Sequence, residues 1–123
     1  MDDELTKSFL ELQGKIVETN RQLRVAHAQA EAAERAGVRA SLTTKELAQL
    51  TPETRTYKSV GRAFLFQPVQ QVLEELESVA AKSKVDVVKF QKSASYHERS
   101  LKDYEAQMRE TVAALQKNQM AKK

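Results

Sequence analysis

The sequence predicts a mainly α fold, a long antiparallel two-helix coiled coil joined by a single β-hairpin. Two apolar stripes and one short interruption between them predict it. The first stripe steps alternately by 4 and 3 through Leu5, Phe9, Leu12, Ile16, Thr19, Leu23, Ala26, Ala30, Ala33, Gly37, Ala40, Thr44 and Leu47. The second follows the same steps through Val69, Leu73, Leu76, Ala80, Ser83, Val87, Phe90, Ala94, His97, Leu101, Tyr104, Met108, Thr111 and Leu115. Such stepping averages about 3.5 residues, the repeat of a coiled-coil seam. Leu5 to Leu47 and Val69 to Thr111 each span 42 residues. That is roughly 63 Å of helix at ~1.5 Å per residue. A compact chain of this size has a radius of gyration of only about 14 Å. The expected object is therefore a hairpin-shaped rod formed by one domain over residues 1–123.

The first helix is expected at about residues 3–50. Asp2, Asp3 and Glu4 suit the positive end of its dipole. Thr51-Pro52 writes its end, because the residue before a proline is pushed out of the α region. Gly37 weakens the interior by roughly 1 kcal/mol against alanine. Thr43-x-x-Glu46 has the form of a capping box that could restart a helix. The seam phase runs through both unshifted, which favours one helix with a soft point.

The second helix is expected at about 68–118, opening on Pro68 because proline suits a first helical turn. Glu74, Glu75 and Glu77 lie near its positive end, and Lys117, Lys122 and Lys123 near its negative end. Residues 54–67 differ in kind: Thr, Tyr, Val and Phe replace the Ala, Glu, Lys and Gln of the helices. Gly61 supplies the φ > 0 of a tight turn, so the segment reads as strands at about Arg55–Val60 and Arg62–Gln67. A lone two-stranded hairpin is marginal in water. This one carries Tyr57, Val60, Phe64, Leu65 and Phe66 beside open edges, which predicts an obligate oligomer made by strand pairing.

Folding the helices back about the hairpin puts Leu47 opposite Val69, so facing residue numbers add to about 116. Ala26 then meets Phe90, Ala30 meets Val87 and Ala40 meets Leu76, large against small as close packing requires. Thr19 lands opposite His97, so these polar seam residues are expected to hydrogen-bond. The small residues Ala26, Ala30, Ala33, Gly37 and Ala40 leave the middle of the first helix thin or flexible.

Composition excludes several kinds of chemistry. No cysteine is present, so there is no disulfide, zinc–thiolate site or thiol nucleophile. His97-Glu98 begins like H-E-x-x-H, but position 101 is leucine and no ligand set is completed, so His97 reads as a seam residue and no metal is expected. His27 reads as an exposed helix residue. No phosphate-loop or nucleophile-elbow motif occurs, and a thin rod offers carboxylates no water-poor pocket. No enzyme, catalytic residue or cofactor is expected. Net charge is +3, but the signs are mixed: residues 1–50 carry 7 Lys/Arg against 8 Asp/Glu, and residues 69–123 carry 10 against 8. That describes solvated helix faces rather than a phosphate-binding stripe, so nucleic acid is not the expected partner. No apolar run approaches the ~18 residues of a membrane span, and the acidic start is unlike a secretory signal, so a soluble intracellular protein is expected.

Near the helix ends, Leu5, Phe9, Leu12 and Ile16 meet Met108, Val112 and Leu115, with Met120 beyond. They read either as ordinary seam or as a frayed apolar tip suited to weak grasping of apolar segments.

Thr54-x-x-Tyr57-x-x-Val60-Gly61-Arg62-x-Phe64 resembles the hairpin signature of the β-type prefoldin subunits. Leu5-x-Lys7-x-Phe9-x-Glu11-Leu12-Gln13 and Ser95-Tyr96-x-Glu98-Arg99-Ser100 are similar to helical segments of the same family. The α-type subunits carry two hairpins, and residues 51–67 leave room for one. The resemblance implies a hexamer of α- and β-type subunits whose hairpins join into a β-barrel platform. It implies coiled coils whose tips hold non-native actin, tubulin and other chains for the cytosolic chaperonin, without ATP. Carried over, Tyr57, Val60, Gly61, Phe64 and Phe66 would build the platform, and Leu5, Phe9, Leu12, Met108, Val112 and Leu115 would meet clients. The reading set against it is a coiled-coil tether or adaptor that holds no client.

Overall fold

The computed structural model describes residues 2–121, the Asp2 side chain excepted. The order is α1 (Asp2–Leu47), β1 (Arg55–Val60), β2 (Ala63–Pro68) and α2 (Val69–Ala121). Two long helices joined by one antiparallel two-stranded sheet make the fold. The chain divides into two compact units, one of Met1–Ala28 with Phe90–Lys123 and one of Gln29–Lys89.

Within the second unit, α1 runs through Gly37 without a break. Ser83 explains the glycine. Its hydroxyl donates to the Ala33 carbonyl at 2.5 Å, in the register expected from the two stripes. A Cβ on residue 37 would collide with the Ser83 side chain. The small residues are thus a close approach of two backbones: Ala40 keeps 3% of its surface and Ser83 7%. The capping box is not used. The Thr43 and Thr44 hydroxyls instead donate back to the Arg39 and Ala40 carbonyls, four residues earlier, as threonines inside a continuing helix do.

Several boundaries differ from expectation, and α2 runs to Ala121 rather than to about 118. α1 stops at Leu47, because Gln49 and Leu50 bond to carbonyls only three residues back and tighten the last turn. Thr51-Pro52-Glu53-Thr54 then turns the chain, closed by a 3.0 Å bond from the Thr54 amide to the Thr51 carbonyl. Pro68 ends β2, paired with Arg55, and the helix opens at Val69. A proline at a strand end forfeits no ladder donor, so the strand keeps it. β2 begins at Ala63 rather than Arg62, because the turn needs two residues. The first turn of α2 carries no acid; Glu74, Glu75 and Glu77 come later, while Lys122 and Lys123 lie outside the described residues.

In the first unit the buried positions are Leu12, Thr19, Ala26 and Ala94, all on the predicted stripes. Every stripe position from Leu5 to Leu47 and from Val69 to Leu115 is buried or half-buried. Lys15 Nζ lies 5.7 Å from the centre of the Tyr104 ring, and His27 Nε2 lies 3.6 Å from Glu98 Oε1. Both contacts join α1 to α2 beside the seam. Thr19 and His97 make no hydrogen bond to each other; the His97 ring instead meets the Tyr96 ring edge-on at 5.3 Å. On the surface, Arg21 donates to Glu18 at 2.6 Å, and that hydrogen bond holds the Glu18 carboxyl below its usual range.

Gly37→Leu should lower stability by about 1–3 kcal/mol, because the seam at Ser83 has no room for a side chain. Ser83→Ala alone should cost about 0.5–1.5 kcal/mol, the net worth of one hydrogen bond. Urea unfolding followed by circular dichroism checks both; an unchanged midpoint for Gly37→Leu would mean that the helices are not in close approach there.

Candidate functional site

The hairpin lies in the second unit, and its turn determines everything that its side chains can do. Val60 pairs with Ala63, leaving Gly61 and Arg62 as a two-residue loop. Gly61 has φ +59°, and no other described residue has positive φ. Positive φ at the first loop position alone is the pattern of a type II′ turn, which matches the twist of the strands that it joins.

Register then divides the side chains between two faces, since strand side chains alternate. Tyr57, Ser59, Phe64 and Phe66 share one face; Thr56, Lys58, Val60, Ala63, Leu65 and Gln67 share the other. On the first, the Tyr57 and Phe66 rings meet edge to face, with centres 5.9 Å apart at 71°. Phe64 is 72% exposed, Phe66 59% and Tyr57 56%, so three rings stand in water.

The second face is tied down only at its base. The Thr56 hydroxyl donates to the Gln67 carbonyl across the strands. Gln67 Nε2 donates to Glu75 Oε1 at 2.6 Å, and Lys58 Nζ approaches Glu75 Oε2 at 3.5 Å. Glu75 thus holds the sheet to the start of α2 rather than complementing the dipole. Farther out, Val60 and Leu65 remain 47% and 57% exposed. Of the five residues expected to build a platform, the structure brings Tyr57, Phe64 and Phe66 onto one face. It sets Val60 on the other and Gly61 in the turn.

The six expected client contacts lie in the first unit, five on the two stripes and Val112 beside Thr111. Leu12 is buried, and Leu5, Phe9, Met108, Val112 and Leu115 are half-buried. The free apolar surface of this unit is elsewhere: Leu10 is 59% exposed, Val17 65%, Val25 43%, Tyr96 67% and Met120 77%. Leu10 and Val17 are seven residues apart and share a face of α1 outside the seam. Their own spacing was the available signal for them.

Among the described residues no group of three or more His, Cys, Asp or Glu could hold a metal ion. No helix among them is long and apolar enough to cross a membrane.

Two long helices around one hairpin, with three rings exposed on one of its faces, define the class of fold. Residues 7–119 match the family model for a prefoldin subunit, and the chain belongs to the prefoldin family. It is similar to prefoldin subunit 1 of Mus musculus, 34% identical over 114 residues that cover 93% of each chain. It is similar also to prefoldin subunit 1 of Homo sapiens (33% over 114 residues, 93% of each). With prefoldin subunit 1 of Arabidopsis thaliana it shares 35% identity over 113 residues, 91% of this chain and 88% of that one. The crystal structure of the prefoldin beta subunit from Thermococcus strain KS-1 has the same fold, with a TM-score of 0.70 over 83% of this chain and 90% of that one, at 18% identity. The chain is thus a prefoldin chaperone subunit of the β-type fold, not an enzyme.

Phe64→Asp should weaken assembly with other prefoldin subunits by about 2 kcal/mol or more, the worth of a central aromatic contact. The isolated chain should stay helical, because Phe64 is 72% exposed within it and lies outside the helices. Size-exclusion chromatography and circular dichroism read the two effects; a mutant that assembles normally would show that the ring face is not covered.

Proposed function

We propose that this chain is one subunit of a hetero-hexameric, ATP-independent co-chaperone. The hairpin joins those of neighbouring α- and β-type subunits in a β-barrel platform. The free ends of the helices hold non-native polypeptides such as actin and tubulin, which pass in the cytoplasm to the cytosolic chaperonin. Residues 1–123 act here as a single prefoldin domain.

One observation carries the reading: the sheet has two strands, both outer edges are unpaired within the chain, and three aromatic rings on one face are more than half exposed. Burying a ring removes about 150–250 Å² of surface from water. A tether made of helices alone has no use for such an insert. Client holding draws its support from Leu10, Val17 and Met120, which leave adaptable apolar surface in the first unit. Leu5, Phe9, Leu12, Met108, Val112 and Leu115 join it when the end turns open. Each such contact is worth about 1–2 kcal/mol, and several subunits acting together supply avidity.

Leu10→Ser with Val17→Ser should leave the helices and the hexamer intact, since neither side chain is in the seam. It should reduce the protection of a denatured client from aggregation, read by light scattering. Deleting residues 1–8 and 113–123 should do so more strongly. Full protection by the truncated complex, with no client crosslinks from this subunit, would leave the tether reading standing.

A further inference from the structure

Residues 48–54 link α1 to β1 without helix or strand, and residues 48–53 are all exposed. Their hold on the rest of the chain is slight. The Gln49 amide reaches its carbonyl only at 3.4 Å. The turn at Thr51-Pro52-Glu53-Thr54 is closed by the Thr54 amide and by a 3.0 Å bond between the Thr51 and Thr54 hydroxyls. Among the described residues outside helix and strand, Thr51 and Thr54 carry the only hydroxyls, and Thr54 is half-buried. Thr51 therefore presents a hydroxyl that an enzyme can reach without unwinding a helix or parting the hairpin. The residue after it is proline. The other proline, Pro68, follows Gln67, so Thr51-Pro52 is the single place where a hydroxyl residue precedes a proline. Pro52 has no N–H to satisfy and biases Thr51 toward the extended form.

We propose that Thr51 is a phosphorylation site, modified by a proline-directed serine/threonine kinase with ATP, and that its phosphate hinders entry of the chain into the prefoldin assembly. The second part rests on the assembly reading above. In the transfer, Thr51 Oγ1 bonds to the γ-phosphorus of ATP. The bond from that phosphorus to the bridging oxygen breaks, ADP leaves with the electron pair, and the hydroxyl proton passes to a base of the kinase. Proline selects the kinase class, because a substrate groove that offers no acceptor to the next N–H favours the residue that lacks one. Kinases that need basic residues beside the acceptor find none, since residues 46–54 contain Glu46 and Glu53 and no Lys or Arg. A phosphothreonine carries about −1.5 to −2 charges at pH 7. Those charges arrive beside the last carbonyls of α1, the negative end of its dipole, and two residues from Glu53. Esterified, Thr51 can no longer donate to Thr54. Lys45 and Arg55 are the nearest cations along the chain, and exposed pairs offset little. The connector is loosened as a result, and with it the placing of the hairpin that strand pairing with a neighbour needs.

Incubation of the free full-length chain with a purified proline-directed kinase and Mg-ATP should place one phosphate on Thr51, read by mass spectrometry of its peptides. Thr51→Ser should still be labelled at that position, while Thr51→Ala and Pro52→Ala should not. Mixed with an equal amount of unmodified chain and with the partner subunits, the phosphorylated chain should take about threefold fewer places in the hexamer. Phosphatase treatment before mixing should restore equal shares. No label on Thr51, or a label unchanged by Pro52→Ala, would overturn the site. Equal shares for phosphorylated and plain chains would overturn the hindrance. A wild-type chain that enters no oligomer would overturn the hindrance together with the assembly reading, while the labelling of Thr51 stands apart from both.

Discussion

A pair of helices has a seam but no interior, and the rest of the structure follows from that limit. Among the described residues no side chain is completely buried, and those nearest to it are mostly small: Ala26, Ala40, Ala94, Thr19 and Ser83. Apolar burial stabilises by about 25 cal/mol per Å², and two helices have only one stripe each over which to collect it. The stripe must therefore run unbroken, which explains why α1 crosses Gly37 rather than stopping there. It also explains the close approach of the helices at Gly37, with Ser83 filling the space that the glycine leaves.

The same limit leaves the hairpin short of cover. In a globular domain a second layer would close over Phe64 and Phe66. Here the beginning of α2 reaches only the base of one face, through Glu75, and everything beyond Gln67 and Thr56 remains in solvent. The polar contacts at that base hold the sheet in place without hiding it. Assembly in this family thus answers a shortage that is built into the subunit.

The helices were legible in the sequence because a repeat near 3.5 is a property of residue order alone. The register was legible for the same reason, since a turn at Gly61 fixes which positions can face one another, and Ala33 with Ser83 obeys it. What could not be read turned on single residues of divided preference. Arg62 suits a strand or a turn, so β2 was expected one residue early, and the two faces of the hairpin follow only once that residue is placed. Pro68 suits a strand end or a helix start equally well. Stripe counting finds residues that face a partner helix, so it collects Leu5, Phe9 and Leu12 and passes over Leu10 and Val17, which point away from the seam.

The two-residue turn at Gly61 also sets an order of events. Strands joined so tightly meet after the closure of a very short loop, and hairpins form in about 1–10 μs. The first and last turns of the helices are separated by nearly the whole chain, and closing so long a loop costs more entropy than closing a short one. Once the hairpin is made, each successive pair of facing residues closes only a small additional loop. Zipping from Leu47 and Val69 outward is therefore the route of least loop entropy, and it reaches Leu5 and Leu115 last.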